Sequence, residues 1–200
     1  MLSILLIVFS VGFTLSLIFL FYFIQKNPTQ GSLATPTIPI ENYIPLPIQK
    51  EITSGLPIRL KIPKINIDTA IEYVGLTPDG AMDMPKGSDN AAWFSLGQRP
   101  GEIGNAIIAG HYGWKNKKPS VFDNLYKLQV GDKIYIEDDK GTTISFVVRE
   151  SRRYNPETNA SNVFSSDDGK SHLNLITCEG NWDETLETYS KRLVVFTDKE

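Results

Sequence analysis

Apolar side chains fill residues 1–24 (MLSILLIVFSVGFTLSLIFLFYFI) with no charged residue among them. As a helix rising ~1.5 Å per residue, this stretch spans the ~30 Å of a bilayer's hydrocarbon, which predicts a transmembrane helix within an anchor of residues 1–26. A cleaved signal peptide is the alternative, but it needs a basic start, a shorter apolar run and a small-residue cleavage site, none of which is clear here. Lys26 is the nearby basic residue and weakly favours a cytoplasmic C-terminus, although large domains translocate largely regardless of charge. Residues 27–57 then change character. Pro28, Pro36, Pro39, Pro45, Pro47 and Pro57 forbid a helix and favour extended, semi-rigid backbone, so this segment reads as a stalk. Its apolar members, among them Ile38, Tyr43 and Leu46, leave open that part of it packs on the domain that follows.

From residue 58 to 200 the pattern is mostly that of strands. Residues 59–67 (RLKIPKINI) alternate apolar and polar positions, with Pro63 interrupting, which predicts an edge or bulged strand. Residues 105–109 (NAIIA) are a short apolar run ended by Gly110, the look of a buried strand opening into a loop. The run 120–123 (SVFD) has capping-box spacing ahead of Phe122, Leu125 and Leu128, with Gly131 as a stop, which predicts one short helix. Residues 133–137 and 142–149, joined by DDKG, read as a hairpin, and 173–178 and 192–197 as two more strands. Many short strands without a βα rhythm predict a mainly β barrel or sandwich in one domain, residues 58–200.

Composition narrows the function. A net charge of −3 with no basic stripe argues against nucleic-acid binding. One cysteine excludes an intramolecular disulfide, a CxxC redox pair and a cysteine-rich zinc site. Asp167 and Asp168 lie in a Ser/Asp loop, but no ligand spacing compels a metal, and no cofactor is expected.

Cys178 itself is either a buried, inert small hydrophobe or a nucleophile. Its context, the end of the alternating run HLNLITC before EGN, places it at a strand's C-terminal end where a loop begins. A nucleophilic thiol needs a partner for its proton, and the chain has two histidines. His172 precedes Cys178 on the same strand by about 20 Å at ~3.3 Å per residue, which excludes it as the base and leaves it a surface or strand-end residue. His111 follows NAIIA across Gly110 and meets Cys178 if the two strands end on one rim. Arg192 begins the run RLVVFT and lies beside Cys178 if the two strands pair antiparallel, where it would supply a donor to a developing oxyanion. A solvated charge flanking a strand is the alternative for it.

Gly110 with His111, the run LITC ending at Cys178, and the run RLVV from Arg192 together resemble the signature segments of the sortases, membrane-anchored cysteine transpeptidases of bacterial surfaces. The order His, Cys, Arg, the IPKI segment at 62–65, GLTPDGAMDMP at 75–85 and VFDNLYKLQVGD at 121–132 extend the likeness over nearly all of residues 58–200. The resemblance implies a closed barrel of about eight strands with short helices, preceded by one transmembrane helix. It implies Cys178 as nucleophile, His111 as general acid/base, and Arg192 as oxyanion or substrate-backbone donor. Thr177 would assist at the oxyanion or substrate, and Asn174 replaces the first Thr of the family's TLxTC pattern. The segments 75–85 and CEGNWD look most like class F, or the neighbouring classes D and E. The implied partners are proteins bearing an LPxTG-like sorting signal and a cell-envelope amine, with the domain outside the membrane. A peptidase or L,D-transpeptidase-like enzyme acting on peptidoglycan peptides is the rival within the chemistry. A tethered binding module with an inert thiol is the rival outside it.

Overall fold

A computed structural model describes residues 54–115 and 117–200. The predicted transmembrane helix and nearly all of the predicted stalk lie outside the described residues. Among the described residues, no helix is long and apolar enough to cross a membrane.

Eight strands close into a barrel. In chain order the strands are β1 (Pro57–Ile62), β2 (Ile67–Val74), β3 (Ala91–Phe94), β4 (Gly104–Gly110), β5 (Trp114–Lys115), β6 (Lys118–Pro119), β7 (Lys133–Asp138), β8 (Thr143–Tyr154), β9 (Ser171–Asp183) and β10 (Thr188–Lys199). The barrel runs β1-β2-β3-β4-β9-β10-β8-β7, and β5 and β6 form a small separate ribbon. The pairs β2–β3 and β4–β9 are parallel, and the remaining neighbours are antiparallel.

The run 59–67 is not one strand. Pro63 opens a 3-10 turn, Pro63–Ile65, and Asn66 takes the left-handed conformation at φ 55° that Asn tolerates, so the chain turns and β1 pairs back on β2. The edge expected there does not exist, because β1 also pairs with β7 and closes the barrel, and at Pro63 the chain turns rather than bulges; the register shift on β1 lies before the run, between Pro57 and Arg59. Just before β1, Gly55 N donates to the Asp138 carboxylate (3.0 Å) and Leu56 N to Asp139 (2.8 Å), so the last residues of the predicted stalk are fastened to the barrel.

Alternation sorts side chains between inside and outside. Leu173 and Leu175 of β9, Leu193 and Val195 of β10, and Ala106 and Ile108 of β4 point into the main core with Leu60, Ile134 and Phe146. The outer face of these three strands is also covered, by Val163 with Ala160 from the β8–β9 connection, and Ile107, Val194 and Phe196 pack there. Burial on both faces is why 105–109 is apolar without alternation.

The predicted helix after residue 120 is instead a set of turns ending in a single 3-10 turn, Leu125–Lys127. Its apolar side chains still plug the barrel, with Phe122 and Leu125 wholly buried. Its turns close at three residues rather than four: Asp123 N donates to the Ser120 carbonyl (3.0 Å), Leu125 N to that of Phe122 (3.1 Å) and Leu128 N to that of Leu125 (3.2 Å), while Phe122 N donates to the His111 carbonyl (3.0 Å) and the Asp123 carboxylate accepts from Gly113 N (3.1 Å). Among the described residues, the α-helix that does form is the one-turn α1 (Ser161–Phe164).

Candidate active site

Cys178 and Arg192 are direct register partners across β9 and β10. β4 and β9 run parallel with Ala109 opposite Ile176, so two further steps along both chains bring His111 abreast of Cys178. Neighbouring strands lie ~4.8 Å apart, which sets three adjacent positions on one rim. Thr177 points the other way, into the barrel. It is 2% exposed, and its hydroxyl donates to the Gly110 carbonyl at 2.7 Å, tying β9 to β4 just below His111 and Cys178.

Cys178 does not end its strand. β9 continues to Asp183 as a hairpin with β10, so the polar EGNWD, read as loop, is paired backbone. A bulge follows the Cys178–Arg192 pair, where the register shifts between Tyr189 and Lys191. Gly180 supplies the φ of 91° that it requires. The thiol is accessible because the bulge opens the ladder beside it, not because the strand stops.

His111 is held at both ends. Its carbonyl accepts from Phe122 N, and its Nε2 lies 2.8 Å from the Pro85 carbonyl. A carbonyl only accepts, so Nε2 carries hydrogen and Nδ1 is the ring nitrogen left to exchange a proton. The Arg192 guanidinium donates from Nη1 to the carbonyls of Tyr189 (2.9 Å) and Lys191 (3.1 Å), and from Nη2 to Thr188 Oγ1 (2.9 Å). These bonds brace the guanidinium against its own bulge. Burial pushes the Cys178 thiol above its ordinary value, and the positive charge of Arg192 pulls it partway back. Glu179, next in sequence, is held in a two-point pairing with Arg153 at 2.5 and 2.9 Å.

A groove of about 670 Å³ leads to Cys178, Thr177 and Arg192. Ile176, Val194, Met82, Met84, Val163 and Phe164 line it. His111 flanks the thiol away from this lining. Beyond it, Tyr112 packs edge-on against Tyr189 at 5.1 Å, and Tyr189 against Trp182 at 5.1 Å.

His172 is not a surface residue. It is 3% exposed, with Nδ1 at 2.8 Å from Asp198 and Nε2 at 3.0 Å from Asp168. Its distance from Cys178 along β9 is as expected, and it takes no part in the rim. Asp168, in the Ser/Asp loop weighed above for a metal, spends its carboxylate on His172, Lys170 N and Ser166.

Nothing in the sequence pointed to the Pro85 carbonyl, the Tyr189 brace or the α1 wall, each of which depends on a contact between distant segments. The segment 75–85, one of those that carry the resemblance, lines the groove through Leu76, Gly80, Ala81, Met82 and Met84.

No curated protein matches the chain. Among solved structures, sortase C-1 from Actinomyces oris aligns with a TM-score of 0.57 at 24% identity, over 72% of this chain and 74% of that one. Sortase C1 from Streptococcus agalactiae, in its complex with MTSET, aligns with a TM-score of 0.55 at 25% identity, over 72% and 66%. Sortase A from Corynebacterium diphtheriae aligns with a TM-score of 0.56 at 24% identity, over 74% and 61%. At such identities these likenesses are of fold. A family model described as the sortase domain matches residues 60–200. Barrel, rim and family model agree, and the chain belongs to the sortases, a family of cysteine transpeptidases.

Proposed function

We propose that this protein is a membrane-anchored sortase whose domain lies outside the cytoplasm, where it cleaves an LPxTG-like C-terminal sorting signal and joins the carboxyl product to a cell-envelope amine. Segments 75–85 and 178–183 favour class F, or the neighbouring classes D and E. The observation that carries the proposal is the pairing of Cys178 with Arg192 at an apolar groove, with His111 one residue past the end of the neighbouring strand β4.

The thiol's raised pKa means that its proton must leave during catalysis, and in this reading His111 takes it through Nδ1, the ring nitrogen not bonded to Pro85. The thiolate attacks the scissile carbonyl. The oxygen becomes an anion beside the Arg192 guanidinium, whose braced planar fork needs no reorganisation at that moment. Collapse breaks the C–N bond, and His111 returns its proton to the departing amine. The resulting thioester is resolved by an incoming amine, which gives a proton to His111 as it attacks, and the product leaves with the thiol restored.

Mass spectrometry of the full chain in detergent, after incubation with an LPxTG-type peptide, tests this: an acyl adduct on Cys178 that an added amine discharges as an amide is expected. Adducts discharged only by water would favour the peptidase reading. No adduct, with sluggish alkylation of Cys178, would favour the binding module.

A further inference from the structure

A four-residue helix has no stability of its own, because nucleation costs more than one turn returns. α1 nevertheless forms, and its last carbonyls show why. Asn105 Nδ2 donates to the carbonyls of Asn162 (3.1 Å) and Val163 (3.0 Å), and Asn174 Nδ2 donates to the Val163 carbonyl (2.7 Å). Backbone groups that a helix C-terminus leaves unpaired are capped here by side chains from the barrel wall. Asn105 and Asn174 are 5% and 1% exposed, and they stand on the outer faces of β4 and β9, two neighbouring parallel strands.

Packing alone does not account for these amides. Asn174 lies opposite Ile107 and two residues before Ile176, beneath Val163, where an apolar side chain would fit. Its Oδ1 is buried without a hydrogen-bond partner, a cost that an apolar side chain would avoid. What the amide supplies is the bond to Val163, and Val163 and Phe164 line the groove, with Phe164 edge-on to Phe94 at 6.3 Å.

We infer that Asn105 and Asn174 are positioning residues for substrate: a two-amide latch that sets the α1 wall of the groove and so governs binding of the sorting peptide, an inference resting on the function proposed above. The latch touches neither Cys178 nor its register partner Arg192. Its loss therefore weakens peptide binding and leaves the chemical step as it was.

Asn174→Leu in the full chain is the test, since leucine removes both the donor and the orphaned oxygen and should not lower the thermal midpoint. We expect KM for an LPxTG-type peptide to rise about tenfold, the scale of one lost buried hydrogen bond, with kcat within about twofold and Cys178 alkylation unchanged. Amide exchange over residues 160–165 should quicken by a similar factor. Asn105→Leu repeats the measurement if the first variant fails to fold. Quickened exchange with an unchanged KM would overturn the positioning role, and unchanged exchange would overturn the latch itself. If no peptide acylates the wild type, the proposed function has failed, and exchange over 160–165 alone decides whether the amides hold the wall.

Discussion

Arg192 sits directly opposite Cys178 in the antiparallel pairing of β9 and β10, one step before the bulge that Gly180 permits. The charge of Arg192 lowers the thiol pKa against burial. The rate of Cys178 alkylation by iodoacetamide should therefore rise with pH through a midpoint above the ~8.5 of a free cysteine, and Arg192→Ala should move that midpoint higher still. A midpoint below ~8.5 in the wild type would contradict the burial argument.

Shape at position 192 should matter as well as charge. The guanidinium reaches two carbonyls and a hydroxyl at once, a geometry a single ammonium cannot reproduce. Single-turnover acylation should fall from wild type to Arg192→Lys to Arg192→Ala, with the lysine variant already down on the order of 10²-fold. Wild-type rates for lysine would reduce Arg192 to a source of potential.

The two histidines should separate cleanly in a paired measurement. His111→Ala should cost roughly 10²-fold or more in acylation, the usual worth of a general acid/base, with a nearly unchanged thermal midpoint. His172→Ala should do the reverse. It removes a buried ring that joins β9 to Asp198 of β10 and to Asp168, so the thermal midpoint should drop while kcat is retained. Read from the sequence alone, that second variant would be expected to be neutral.

Much of this molecule was legible before any coordinates, and the divide follows the range of the interaction. Alternation along 133–149 and 192–197 is a local signal, and both became the expected barrel strands. The order of His111, Cys178 and Arg192 points to one rim; the register pairs Cys178 with Arg192, and His111 lies one residue past the end of β4. Misreadings came where a distant partner decides. EGNWD is polar enough for a loop, yet its pairing with residues 188–191 extends β9. SVFD is a good helix start, yet Phe122 N and the Asp123 carboxylate are tied to the distant His111 and Gly113, and the turns that follow are 3-10 turns. His172 looked like a surface residue because neither Asp198 nor the burial of its strand end is visible in HLNLITC.

Acid should loosen the far end of β9 in a predictable window. The bond from His172, aided by Lys170 N and Ser166, depresses the Asp168 carboxyl to about 2. A carboxyl lowered on folding stabilises the fold at every pH above its unfolded value of ~3.9, and that contribution fades as pH falls from there to the folded value. Thermal midpoints of wild type and Asp168→Asn, followed from pH 6 to pH 2, should differ at the top of the range and converge at the bottom. A gap that stays constant to pH 2 would mean that the carboxylate charge contributes nothing.

Gly110 links the barrel core to the reacting histidine. A Cβ there would lie 2.5 Å from the Phe122 ring and 2.7 Å from Val121, and Phe122 is wholly buried with nowhere to retreat. Gly110→Ala should therefore destabilise by about 1–3 kcal/mol, the usual cost of overpacking a filled core. The displacement also has a route to the chemistry, since Phe122 N donates to the His111 carbonyl and the Gly110 carbonyl accepts from Thr177. Acylation should fall with stability, which no purely structural core position would require. Phe122→Leu opens space at the same spot. Combined with Gly110→Ala, it should give a stability loss smaller than the two single losses added together, and recover part of the acylation rate, as expected of residues in direct contact. Strict additivity in both measurements would show that the crowding at Phe122 is not how Gly110 acts on His111.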